Sequence, residues 1–313
     1  MAERILVALG GNALVRAGQL GTIQEQMANL DRAMAGIVPL IQRGCQMVIT
    51  HGNGPQVGHI LLRVEAARGQ SYDLPLDVCV AQAQGEIGYL IQQSLENVLR
   101  KNRIERTVAA VLCRTVVDKH DPKMANPSKP VGPYYSKEEA LALKTRGWSS
   151  VEEISHGFRR VVPSPEPIRI LETEVIQRLF DDGVIVIAVG GGGIPVSAKA
   201  DGILQGIEAV VDKDLASSQL AVTIGVERIL DLTSVEYAKL HFNAPSEENL
   251  QTITVADAKK YLADGHFAPG SMQPKIEAGI YFLEHGGGEF IITHTEKALD
   301  GFEGRTGTHM VSD

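Results

Sequence analysis

Three runs of consecutive apolar residues each end in a cluster of glycine. ILVAL (Ile5–Leu9) leads into Gly10-Gly11-Asn12, MVIT (Met47–Thr50) leads into His51-Gly52-Asn53-Gly54, and VIVIAV (Val184–Val189) leads into Gly190–Gly193. A strand with one wet face alternates apolar and polar residues, so runs without alternation predict strands buried on both faces. Strands are predicted at Arg4–Leu9, Gln46–Thr50, Thr107–Cys113, Val184–Val189, Arg228–Thr233 and Glu289–Thr293. Between them, helical periodicity predicts helices at Ile23–Arg43, Pro55–Arg68, Leu76–Lys101, Leu171–Asp181, Lys213–Gly225, Val255–Ala263 and Pro274–Glu284. This alternation implies an α/β fold with a mainly parallel sheet covered by helices on both sides. In open sheets of this kind, ligands bind beyond the carboxyl ends of the strands, where all three glycine turns fall.

Composition narrows the function. The chain has 313 residues, enough for one large domain or two modest ones. No apolar run approaches the roughly 18–20 residues that span a bilayer, so no membrane partner is expected. The strand-like N-terminus lacks the basic region and cleavage site of a signal peptide. Cys45, Cys79 and Cys113 are odd in number and scattered through apolar stretches, which predicts reduced, buried thiols and a cytoplasmic protein. A formal net charge of −8 argues against nucleic acid as a partner, while local lysines leave room for a small anion.

One region interrupts the alternation. Residues 115–167 hold seven of the chain's 14 prolines and its only tryptophan, Trp148. This is too long for a routine connection between strand and helix. It reads either as a surface excursion or as a small subdomain closing over the site. Lys119, Lys123, Lys129, Arg159 and Arg160 fit the second reading when the substrate is an anion.

Glycine turns that open helices bring main-chain N–H groups close to a ligand, and unpaired N–H groups there favour phosphate or carboxylate. A single such turn needs no ligand; three at strand ends point to anion binding. The chain has no G-x-x-x-x-G-K-[ST]. GNGPQVG is one residue too long for the dinucleotide fingerprint, which makes a nicotinamide oxidoreductase a poor match. Two lysines stand where a cation is disfavoured. Asp212 reads as an N-cap with Lys213 in the first helical turn, and Ser271 reads as an N-cap shortly before Lys275. A cation at a helix N-terminus is disfavoured by roughly 0.3–1 kcal/mol, so two near predicted anion turns suggest an anion that outweighs the dipole. Asp214 is either an ordinary first-turn carboxylate or a group that holds lysine ammonium groups in place.

The ordered set VALGGNAL, THGNGPQVG, PLDVCVAQAQGEIGY, NPSKPVGP, VVPSPEP, GGGGIPV, EAVVDKDLAS, HFAPGSMQPKIEA and GRTGTHMV resembles the carbamate kinases of the amino acid kinase fold. The resemblance implies an open αβα sandwich, a homodimer and reversible phosphoryl transfer from ATP to carbamate with Mg²⁺. It also implies an N-terminal lobe (1–225) for the acceptor, with 115–167 inserted as a lid, and a C-terminal lobe (226–313) for the nucleotide. The magnesium would be carried by the nucleotide, with no metal ligands of the protein's own.

Carbamate is already an anion, so its oxygen needs no general base, and His51 reads as structural. What the reaction needs is placement and charge neutralisation. On the resemblance, Gly10, Gly11 and Asn12 would donate to the transferring phosphate, with Gly52, Asn53 and Gly54 as facing donors around the acceptor. Lys213 would sit on the phosphoryl group, Asp214 would orient the lysines, and Lys129 and Arg159 would reach the substrate from the lid. Lys275 would contact the nucleotide phosphates, Gly10, Gly191, Gly192, Lys213 and Met272 would also bind the nucleotide, and main-chain atoms near Val235 and Tyr237 would meet the adenine. The chain departs from the wider fold at Ala8, where many relatives carry a strand-one lysine, so the missing charge would come from a residue such as Lys129. In SHGFRRVVPSP, Phe158 stands where the family commonly has tryptophan, while Arg159 is kept. Two rivals remain: another small-acid kinase of the same fold, and a non-catalytic sensor of nucleotide or carbamoyl phosphate.

Overall fold

The computed structural model describes residues 2–145, 147–153 and 157–313; Ser155 and His156 of the SHGFRRVVPSP stretch lie outside the described residues. An eight-stranded sheet runs in the order Thr252–Thr254, Thr308–Val311, Glu289–His294, Arg228–Thr233, Arg4–Leu9, Gln46–His51, Ile185–Ile187, Val108–Ala110. Its neighbours pair parallel, except that Glu289–His294 and Thr308–Val311 are antiparallel.

The uniform strands are buried on both faces because each side of the sheet has its own core. Leu6, Ala8, Val48, Val186, Ile229, Phe290 and Ile292 point to one core, packed with residues of the helices Thr173–Asp181, Lys213–Thr223, Val255–Ala263 and Met272–Glu284. Ile5, Val7, Leu9, Met47, Ile49, Ile187, Leu230 and Ile291 point to the other, under Ile23–Gln42 and Leu76–Lys101. Successive strand residues face opposite ways, so a strand with a core on each side must be apolar at every position.

The strand expected at Thr107–Cys113 is shorter. It ends at Ala110, and the chain enters a second sheet at Arg114–Val117. At the break the Cys113 N–H donates to Gln84 Oε1 at 2.6 Å, so a side chain of the long helix Leu76–Lys101 replaces the ladder partner.

The proline-rich excursion leaves and returns through one strand pair, Arg114–Val117 and Pro167–Ile170, which run antiparallel side by side. Beyond them stands an antiparallel sheet of Lys129–Tyr135, Gly157–Val162 and Ser149–Glu153. It meets the body where Val131 and Val162 pack against Val57, Leu76, Val80 and Val210. There the helix Gly54–Ala66 and the strand Lys129–Tyr135 touch backbone to backbone. A Cβ on Gly58 would lie 1.8 Å from the Cα of Gly132, so only glycine allows this approach.

Candidate active site

Beyond the carboxyl ends of the strands lies a cavity of about 610 Å³. It is lined by Gly10, Gly11, Asn12, Gly52, Asn53, Gly54, Lys129, Arg159, Gly191, Lys213, Asp214, Val235, Tyr237, Met272 and Lys275, among others. The volume lies within the range of ordinary small-molecule sites.

The glycine turns build its inner wall. The first strand ends in a 3-10 turn, Gly11–Ala13, whose opening N–H groups, Gly11 and Asn12, have no acceptor within the turn. Gly10 differs from the expectation. Its N–H donates to the Leu232 carbonyl at 2.8 Å, so it extends the sheet ladder and has no donor left for phosphate. The same correction applies to Gly52, whose N–H donates to the Leu9 carbonyl at 3.1 Å. Both residues line the cavity as close walls, beside Gly11, Asn12, Asn53 and Gly54, which line it too. Gly191 has φ +62, and a Cβ there would lie 2.0 Å from the Asn53 amide nitrogen. Its lack of a side chain lets that amide face the cavity. Gly192 is absent from the lining; it backs onto Val211, and its carbonyl accepts from Thr115 Oγ1 at 2.7 Å. It is a turn residue, one position removed from the cavity wall.

Lys213, Asp214 and Lys275 line the floor, and Asp231 backs them from beneath. Lys213 and Asp214 open the helix Lys213–Thr223, which is capped by Asp212 accepting from the N–H of Asp214 and Leu215. Lys275 comes from the first turns of Met272–Glu284, and Asp231 from the strand Arg228–Thr233. Lys213 Nζ lies 2.8 Å from Asp214 and 3.6 Å from Asp231; Lys275 Nζ lies 2.8 Å from Asp231 and 3.4 Å from Asp214. Charges therefore alternate in sign around a closed ring.

The ring shifts its members' protonation. Burial works against the Asp214 carboxylate, but Lys213 and Lys275 outweigh it and hold its pKa well below the ordinary range. Burial raises Asp231, and the neighbouring Asp214 charge pushes the same way against the two lysines. Burial alone would weaken the Lys275 ammonium, yet the Asp214 and Asp231 charges raise its pKa above the usual lysine value.

Lys129 reaches down from the excursion and donates to Asp212. Part of the negative charge expected around these lysines is thus the protein's own: Lys129, Lys213 and Lys275 face Asp212, Asp214 and Asp231. On the cavity lining, Asn53 Nδ2 is a buried donor without an acceptor among the described residues, and Lys213 Nζ has the carboxylates of Asp214 and Asp231 as its close contacts. Arg159, also on the excursion, donates from Nε to the Gly132 carbonyl at 3.0 Å and lies over the Tyr134 ring.

Sequence reasoning missed Asp231 and the outer wall, which includes Lys239, Phe242 and His266. His266 opens the HFAPGSMQPKIEA stretch singled out above, and Lys239 and Phe242 follow shortly after Val235 and Tyr237. A charged residue inside the apolar run RILDLT was the available signal for Asp231. His51 is buried, with Nδ1 2.9 Å from the Gly52 carbonyl, and burial lowers its pKa to about 4. The three cysteines are buried and unpaired. Among the described residues no helix is long and apolar enough to cross a membrane.

A sequence profile of the amino acid kinase family matches residues 3–294. A carbamate kinase of Pyrococcus horikoshii is 48% identical over 99% of both chains. One from Trichomonas vaginalis is 42% identical over 98% of this chain and 99% of its own. Among solved structures, a Giardia lamblia carbamate kinase bound to AMP-PNP superposes with a TM-score of 0.92 at 39% identity, covering 100% of this chain and 99% of that one. Its citric acid complex gives 0.94 at 38%, with the same coverage. The chain belongs to the amino acid kinase family and, within it, to the carbamate kinases.

Proposed function

We propose that the cavity transfers a phosphoryl group reversibly between ATP and carbamate, by placement and charge neutralisation and with no general base. The observation that carries this is a buried donor without an acceptor on the cavity lining, Asn53 Nδ2, beside Lys213 Nζ, an ammonium with three N–H groups held by Asp214 at 2.8 Å. A buried polar donor is normally satisfied, and an anion in the cavity would satisfy both. Lys213 would hold the transferring phosphoryl group, with the N–H groups of Gly11 and Asn12 on its oxygens. Asn53 and Gly54 would enclose the acceptor side, and Gly10 and Gly52 would set the wall spacing. Asp214 orients Lys213 and Lys275. Lys129 would leave Asp212 for the substrate when an anion arrives, with Arg159 beside it.

Lys275 would contact the nucleotide phosphates, Gly191 and Met272 would line the nucleotide's path, and Val235 and Tyr237 would lie near the base. The reading keeps an acceptor lobe (1–225, lid 115–167) and a nucleotide lobe (226–313), with Gly191 reaching the nucleotide from the first of them. Asp212, Asp214 and Asp231 each already face a lysine, so Mg²⁺ fits as an ion held by the nucleotide's phosphate oxygens. Bound there, it would neutralise phosphate charge. The reading includes a homodimer and a cytoplasmic enzyme.

The test is ATP formation from ADP and carbamoyl phosphate with Mg²⁺, comparing wild type with Lys213→Ala. Wild-type turnover that drops by about 10²–10³ in the variant is expected for loss of one well-aimed donor. Turnover unaffected by the change would remove the role given to Lys213. No ATP from the wild type would remove carbamate as the acceptor.

A further inference from the structure

We propose that Asp231 is a positioning residue for the reaction, fixing Lys275 so that Lys213 is the cation left to engage the transferring group. The inference rests on the proposed function above and deepens it. Asp231 is fully buried and absent from the cavity lining, so it touches no substrate and acts through the lysines.

Its two oxygens bind Lys275 unequally to Lys213. Lys275 Nζ donates to Asp231 Oδ1 at 2.9 Å and to Oδ2 at 2.8 Å, a two-point grip on one ammonium. Lys213 lies 3.6 Å from the same carboxylate, beyond hydrogen-bond distance, and its closer contact is a single Asp214 oxygen at 2.8 Å. Without Asp231, the two lysines would share Asp214, and nothing in the geometry would distinguish a fixed cation from an available one.

The fold explains why this carboxylate can sit here. In the sheet register, Asp231 lies beside Ala8 of the first strand, and Ala8 lies beside Thr50 of the next. Ala8 faces the same core as the helices that carry Lys213 and Lys275. Two helices bring lysines to this strand, and Asp231 holds one of the two.

Asp231 also cancels one positive charge at the floor. Its removal should therefore strengthen ground-state attraction for anions while loosening the geometry that the transition state needs. A mutation of this type lowers kcat together with KM.

The experiment is steady-state ATP formation from ADP and carbamoyl phosphate by wild type, Asp231→Asn, Lys275→Met and the double variant. Asp231→Asn is expected to lower kcat at least tenfold with KM for carbamoyl phosphate unchanged or reduced. In the Lys275→Met background, the same substitution should change kcat less than threefold, because the side chain it acts through is gone. A raised KM with unchanged kcat, or equal loss of kcat in both backgrounds, would overturn the proposal. Should Asp231→Asn fail to fold, comparing Lys275→Met with the double variant decides: a tenfold or greater difference rejects the idea. An inactive wild type would instead reject the assigned reaction, a separate outcome.

Discussion

His51 illustrates how a residue beside the site can be structural. It follows the second strand, its ring is buried, and its neighbours are the Gly190 turn and Gly52. Burial pulls its pKa from 6.5 to about 4, so between those values the unfolded chain binds a proton that the folded chain does not. Its contribution to stability is therefore present above about pH 6.5 and is lost as pH falls towards 4. The shift corresponds to roughly 3 kcal/mol across that window. His309 acts in the opposite sense. Glu289 holds its ring above the ordinary value, so its contribution is present at low pH and lost as pH rises. Urea unfolding from pH 7 to pH 4 should show a shallower loss of stability in His51→Gln than in wild type. Equal slopes would show that His51 is not kept neutral by burial. At this scale the sequence identified His51 as structural and Asp212 as a cap, both local readings. Which glycine N–H groups are available was not legible, because Gly10 and Gly52 donate across to strands that are neighbours only in the folded sheet.

Elements bring those residues into reach, and the contact between Gly54–Ala66 and Lys129–Tyr135 is the tightest example. Gly132 has φ +80, and Gly58 meets its backbone with no room for a Cβ. Lys129 begins that strand, so a displacement at Gly132 moves the lysine relative to Asp212 and the cavity. Gly58→Ala should shift the strand and lower kcat by roughly 10–100-fold, the scale of a misplacement near 1 Å. Retained secondary structure by far-UV circular dichroism, alongside the loss of turnover, would locate the effect in the contact; full turnover would show that the excursion does not position Lys129. The motif around Gly58 was readable as a turn and helix start. Its partner was not, since Gly132 is more than seventy residues away in the chain and no periodicity links the two.

Across the whole molecule, one sheet carries both ends of the chain. Arg4–Leu9 lies between Gln46–His51 and Arg228–Thr233, and each core takes residues from before and after position 225. Leu230 is fully buried in the central sheet. Leu230→Ala should cost about 2–5 kcal/mol, the range for a large-to-small change in a packed core. Because the cores are shared, urea unfolding should show the loss as a shift of the main transition; a transition split at the second half alone would contradict a shared core. The sequence by itself determined the strand and helix types, the absence of alternation that demanded a core on each face, and the glycine turns at strand ends. These follow from side-chain period and turn chemistry, which act over a few residues. Only the tertiary structure decided that Asp231 closes a ring with Lys213, Asp214 and Lys275, and that Lys129 meets Asp212. Those pairs depend on the order of strands in the sheet and on which helix ends converge above it, and neither is written in the spacing of residues along the chain.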